Sequence, residues 1–228
     1  MKSVSATLFV CLIIFLQSCN QQENPITQPS VFEDYFVRYL APEQKLKAQA
    51  IFSLGDSIDV AVPFVPFGGV AFMGSGMEMK KISEQLIRYS SESSAEYQNI
   101  FKFRHKNPAG DIVPYEISMT PIEDFFVKSK ASKSSGLDLV IKGGLLSPQE
   151  SLVFLFSDQN NVAASYTLSG PTKNIEFHLP PNSIKNLSPG NGKLYIVKKI
   201  MKQESLDHRE IHAEVEYYTK DIDIEIND

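Results

Sequence analysis

The chain reads as an all-β protein built of two tandem β-sandwich domains. Three observations carry this. Beyond residue 30 the apolar residues recur mostly at every second position, the period of a strand with one buried face. Clusters of Gly, Pro, Asn and Asp break these runs at intervals of roughly 8–12 residues, the spacing of sandwich strands. Finally, Ala41-Pro42-Glu43-Gln44 ahead of one alternating run is echoed by Ser147-Pro148-Gln149-Glu150 ahead of another. The two prolines are 106 residues apart, about one sandwich. The expected organisation is a leader over 1–18, a flexible tether over 19–30, a first sandwich over 31–121 and a second over 122–228, with the boundary near Thr120-Pro121.

The elements follow in order. Phe32 to Leu40 is an aromatic-rich run, and Leu46, Ala48, Ala50 and Phe52 alternate up to Gly55-Asp56. Met77 to Tyr89 is the one stretch that predicts a helix, with weak caps. Ile100 to Phe103 and Ile112 to Met119 flank Asn107-Pro108-Ala109-Gly110-Asp111 and predict a hairpin. In the second half Leu137, Leu139 and Ile141 alternate up to Gly143-Gly144. Leu152–Phe156, Val162–Leu168 and Ile175–Leu179 follow as strands. Leu194–Ile200 is expected to pair with the run Ile211, Ala213, Val215, Tyr217. At the end, Asp221, Asp223 and Glu225 alternate with Ile222, Ile224 and Ile226. That predicts a strand whose acidic side faces water and discourages edge pairing.

Composition narrows the class. The formal charge is −5, and −6 once Lys2 is removed with the leader. A mildly acidic chain with no basic block argues against a nucleic-acid partner. Of the two cysteines, Cys11 lies in the leader, so Cys19 would stand alone in the mature chain and no disulfide is expected. Stability must come from the core, and 43% apolar residues with 15 Phe and 9 Tyr supply one.

Lys2, the apolar run Ala6–Leu16 and the small residue Ser18 form the three parts of a secretory signal. The run is too short to span a bilayer, which needs about 20 apolar residues. Leu16-Gln17-Ser18-Cys19 resembles the lipobox of bacterial lipoproteins. The resemblance implies cleavage before Cys19, a diacylglyceryl group on its sulfur and membrane attachment through that lipid. Asn20 rather than Asp after the cysteine implies the outer membrane in a Gram-negative cell envelope. Asn20–Ser30 is polar and reads as the tether.

The second half resembles the immunoglobulin-like and fibronectin type III superfold. Leu187-Ser188-Pro189-Gly190 followed by Leu194-Tyr195-Ile196-Val197 is similar to the corner that leads into the penultimate strand, with Tyr195 as its tyrosine. This superfold hosts many functions and implies no activity.

Candidate chemistry is sparse. On a strand, His208, Glu210, His212, Glu214 and Glu216 share one face, and neighbours two apart lie about 7 Å from each other, near enough to share a metal. Alternation with Ile211, Ala213 and Val215 explains the same pattern as a plain solvated face. His105 and His178 have no partner nearby in sequence. The stretch Pro63–Met77 is apolar and aromatic yet interrupted by prolines and glycines, so it cannot run as one central strand. Phe64, Phe67 and Phe72 are its candidate binding residues; an exposed ring suits a sugar or a peptide. Gly74-Ser75-Gly76 lacks the nucleophile-elbow and dinucleotide patterns. The expectation is an envelope lipoprotein acting as a non-catalytic binding or assembly module for a protein or glycan, without metal or cofactor. The rivals are a metal-dependent hydrolase using His208 and His212, and a pilus-like subunit that lends its terminal strand.

Overall fold

A computed structural model describes residues 29–228. The leader, Cys19 and the tether up to residue 28 lie outside the described residues. Strands β1 (Ser30–Leu40) and β2 (Lys45–Gly55) form an antiparallel hairpin around Ala41–Gln44. Val31, Tyr35 and Val37 on β1 and Ala48, Ala50 and Phe52 on β2 bury every second side chain, as the alternation demands. Strands β3 (Val62–Pro63), β4 (Ala71–Phe72) and β5 (Ser75–Gly76) have two residues each. Proline cannot donate to a ladder, and the glycines turn the chain.

Where Met77–Tyr89 predicts a helix, the chain makes β6 (Glu78–Ser83) and β7 (Leu86–Ser94) instead. The edge of β2 supplies the missing partner, pairing Ile51 with Arg88 and Ala50 with Tyr89. A short, weakly capped segment gains more from that ladder than from an isolated helix. The predicted hairpin forms as β8 (Ile100–Lys106) and β9 (Ile112–Ser118). Its loop is closed by Asp111 N–H donating to Asn107 Oδ1 at 2.8 Å, with Gly110 at φ 93°.

The second half holds β10 (Asp124–Val127), β11 (Ala131–Ser132), β12 (Leu137–Lys142), β13 (Glu150–Asp158), β14 (Ala163–Ser169) and β15 (Glu176–Leu179). It continues with β16 (Gly190–Leu206), β17 (Arg209–Tyr218) and β18 (Ile222–Asn227). Strands β10-β12-β15 form one sheet, and β14-β13-β16-β18-β11 lie in the other. That is the strand order of an immunoglobulin-like sandwich. The corner is held by Asp158, whose carboxylate accepts the N–H of Asn160 and Val162 and, at 2.7 Å, that of Ser188. The Ser188 amide is the largest influence on this carboxyl, and with the Val162 and Asn160 amides it outweighs burial and holds the group below its ordinary range. Tyr195 is half-buried beside Tyr218.

Strand β16 is the unusual element. It has 17 residues, and both sandwiches use it. Its first part pairs β13 and β18, and residues 197–206 pair β17. Strand β17 in turn lies parallel to β1, so a single 11-stranded sheet runs through both halves. The β5-β4-β8-β9 sheet covers one part of its inner face, and β10-β12-β15 covers another. The first core therefore contains Ile200, Ile211, Ala213 and Val215, which a division at residue 121 assigns to the second sandwich. These side chains bury against β1 because the paired strands put them on the same face of the sheet. The sequence echo also has no common place in the fold. Residues 41–44 turn a hairpin, whereas 147–149 lead from β12 to β13 in the opposite sheet.

At the seam between the cores sits Lys198, 1% exposed. Its Nζ donates to the carbonyls of Leu145 at 2.9 Å and Gly143 at 3.1 Å, with Glu150 Oε1 at 3.6 Å. Burial pushes this ammonium below its ordinary range, and Glu150 opposes that. Replacing Lys198 by Ala leaves Glu150 uncompensated and should cost about 3 kcal/mol. The double variant Lys198→Met, Glu150→Gln should recover most of that loss, because no charge is left unpaired. Urea unfolding of the three proteins checks both expectations.

Candidate functional site

The antiparallel and parallel registers collect several loops at one end of the first sandwich. Ser30 opposes Gly55, and Val31 opposes Arg209. The β16–β17 turn is a two-residue loop, Asp207-His208, with φ of 43° and 61°. Positive φ at both positions is the geometry that suits a tight hairpin. The loops 56–67 and 107–111 lie at the same end, since Phe64 N–H donates to Phe52 O at 2.9 Å and His105 packs 4.6 Å from the Phe52 ring.

On the outer face of the sheet at this end is a groove of about 730 Å³. Phe32, Ile51 and Ile58 give it apolar walls, and Asp34, His212 and Glu210 give it polar ones. His212 Nδ1 is 2.8 Å from Asp34 Oδ2. Ser205 also lines the groove, but its hydroxyl donates to Glu210 Oε2 at 2.5 Å. Among the described residues, the Ser205 hydroxyl is thus turned to Glu210 rather than to the His212–Asp34 pair. His208 does not share the strand face with His212. It sits in the turn, exposed, because the hairpin reverses at that residue. Among the described residues no group of three or more His, Cys, Asp or Glu is placed to hold a metal ion. His178, the remaining histidine of the second half, pairs with Asp138 at 2.8 Å on an exposed face.

Beneath the groove, inside the core, lies a charged network. Glu33 is 2% exposed and occupies the buried phase of β1. Arg209 grips it with two bonds, Nε to Oε1 and a terminal nitrogen to Oε2, each 2.7 Å. Tyr35 donates to Glu33 Oε2 at 2.8 Å, and His105 Nε2 stands 3.4 Å from Oε1. Burial alone raises the Glu33 carboxyl, but Arg209 and His105 outweigh it and hold it below the ordinary range. Tyr35 stacks on Tyr115 at 4.9 Å, and burial pushes both phenols well up. The bidentate Arg–carboxylate pair joins β17 to β1, and so links the two ends of the described chain. Its signal in the sequence is a carboxylate in step with Val31, Tyr35 and Val37.

The aromatic stretch divides. Phe72 is 3% exposed and rests 4.8 Å from Phe103, so it is core and is removed from any binding surface. Its β4 partner strand β8 draws it inward. Phe64 is half-buried against the same core. Phe67 stands out at 77% exposure, with Lys106 Nζ 4.9 Å over its ring. The terminal strand β18 is paired on both sides, with β16 and with β11, so lending it to another subunit would open the second sandwich.

No protein-family model matches the chain, and no curated protein does. Twelve solved chains are similar. One is described as a tetra-tandem repeat in the extending region of a large adhesion protein, at 10% identity and a TM-score of 0.28. The likeness covers 85% of this chain and 49% of that one, so this chain spans about half the length of that structure. At that score it carries no argument about role. What the fold defines is an all-β protein with an immunoglobulin-like sandwich.

Two measurements follow from the buried network and the split aromatic stretch. A carboxyl depressed on folding adds stability that is fully present above its unfolded value near 4.5, and that is lost as the pH falls through the lower folded value. Glu33→Gln should therefore lower stability by roughly 3–5 kcal/mol at pH 7 and make the acid limb less steep. Thermal unfolding between pH 7 and pH 3 reads both. Phe72→Ala should cost about 3–5 kcal/mol, whereas Phe67→Ala should change stability by less than about 0.5 kcal/mol.

Proposed function

We propose that the chain is a lipid-anchored envelope protein, held through Cys19, that serves as a non-catalytic binding or assembly module for a protein or glycan. The observation that carries this reading is the continuity of β16 through both sandwiches. A shared 17-residue strand gives the two halves one orientation, which suits a module that presents a surface at a set distance from its anchor. The groove at the end near Ser30 holds apolar walls and a His–Asp pair, with the Ser205 hydroxyl turned to Glu210, which suits recognition better than turnover. The lipobox-like Leu16–Cys19 supports the anchor, and Asn20 supports the outer membrane as its site.

Cys19→Ala tests the anchor. The lipid is the one strong membrane attachment this reading allows, so the variant should accumulate as an unprocessed precursor or as soluble protein. Cell fractionation with mass measurement of the N-terminal peptide distinguishes these forms from the diacylglyceryl-modified protein. A processed Cys19→Ala protein that still cofractionates with membranes would overturn the reading.

A further inference from the structure

The end of the first sandwich nearest Ser30 exposes apolar side chains that nothing in the fold explains. Ile58, Val60, Val62, Val65 and Phe67 are 62%, 67%, 61%, 48% and 77% exposed, and Ile112 is 61% exposed. The other large exposed apolar residues, such as Met79, Ile100, Leu145 and Met201, are scattered over different strands and loops. Scattered exposure is normal; a cluster calls for an occupant.

Local geometry holds the cluster together. Gly55 lets the loop close back on β2, because a Cβ there would meet Ala61 Cα at 2.7 Å. Strand β3 ties Val62 and Pro63 to Leu54 and Ser53. Lys106 over the Phe67 ring joins this loop to the β8–β9 hairpin, where Ile112 opposes Lys106. Pro63 and Pro66 limit the backbone freedom of the loop, so little entropy is lost when its side chains are covered.

The covering surface follows from where the chain enters. Ser30 pairs with Gly55 at this same end, and it lies eleven positions after Cys19. Even fully extended, eleven residues span no more than about 40 Å. Strand β16 runs from Leu206 at this end to Gly190 in the second sandwich, roughly 53 Å away along the strand. The apolar loops are thus the part of the described protein that an anchor at Cys19 keeps closest to lipid. Tethering also turns a weak contact into an intramolecular one, with an effective concentration set by the short connection. Charge favours a neutral surface: Asp56, Asp59 and Asp111 border the loops, against Lys106.

We infer that the 58–67 loop, with Ile112, is a membrane-contacting tip that inserts Phe67 and its apolar neighbours into the headgroup region of the bilayer carrying the Cys19 lipid. This rests on the lipoprotein reading above. With the tip seated, β16 runs from the bilayer outward and the second sandwich stands clear of it.

The test uses the full mature protein, purified with its lipid and reconstituted in phosphatidylcholine vesicles. Phe67→Cys carries an environment-sensitive dye, and a separate Ser135→Cys protein, labelled in the second sandwich, serves as control. The expected result is a blue shift at position 67, with quenching by nitroxide-labelled lipid, and neither change at position 135. Val60→Ser with Val62→Ser should abolish the shift while the protein stays vesicle-bound through Cys19. In an unlipidated Cys19→Ala protein made without residues 1–18, the same pair should lower weak partitioning to vesicles about tenfold. A dye at position 67 that stays in water while the lipidated protein floats with the vesicles overturns the tip and leaves the anchor intact. Absence of lipid on Cys19, read by mass, overturns the anchor; the unlipidated partitioning then still decides the tip. A blue shift without vesicles, with dimers in sedimentation, assigns the patch to a second copy of the chain and overturns the bilayer.

Discussion

The fold depends on the parallel pairing of β1 with β17. Parallel strands need a long crossover, and here the crossover is most of the described protein. Strand β1 would otherwise have β2 as a partner on one side and open backbone groups on the other. Strand β17 closes that edge, and it reaches the first sandwich because β16 is long enough to leave the second one. The bidentate Arg209–Glu33 bond sits at the start of this pairing, with Tyr35 and His105 completing its shell. Buried charges of this kind contribute less to net stability than apolar contacts, but their geometry tolerates one register. A one-residue slip would turn Glu33 to solvent and Asp34 inward.

Continuity along β16 has a mechanical consequence. Two sandwiches joined by a linker swing about it, whereas two sandwiches that share a strand bend only as far as that strand bends. At the seam Lys198 replaces the apolar side chain that the alternation calls for, between Ile196 in one core and Ile200 in the other. Its bonds to Gly143 and Leu145 tie the strand to the loop that ends β12. The outer face of the same sheet carries ion pairs such as Arg38–Glu216 and Lys199–Glu214, so it can face water without a covering layer.

Local physics made much of this legible in the sequence. The alternation in Leu46–Phe52 and Leu152–Phe156, and the Asn107–Asp111 loop between two apolar runs, each involve neighbours close in the chain, so their signal lies within a short window. The buried phase of β18, with its acids outward, is legible for the same reason. Met77–Tyr89 misleads, because its spacing fits a helix while its partner, the edge of β2, lies nearly 40 residues back. Phe64, Phe67 and Phe72 look alike in sequence; which of them is core depends on β8 and on Lys106, neither of which is a sequence neighbour.

The sequence by itself determined the strand periods, the turns, the all-β class and the residues available for an anchor, since these follow from side-chain character and spacing along a few residues. Only the tertiary structure decided which sandwich owns Ile200 to Val215, that Glu33 meets Arg209, that His208 turns away from His212, and that the apolar loop shares an end with Ser30. Each of these is a pairing between strands far apart in the chain. Such a pairing is set by which faces can be buried together, and no local window contains both partners.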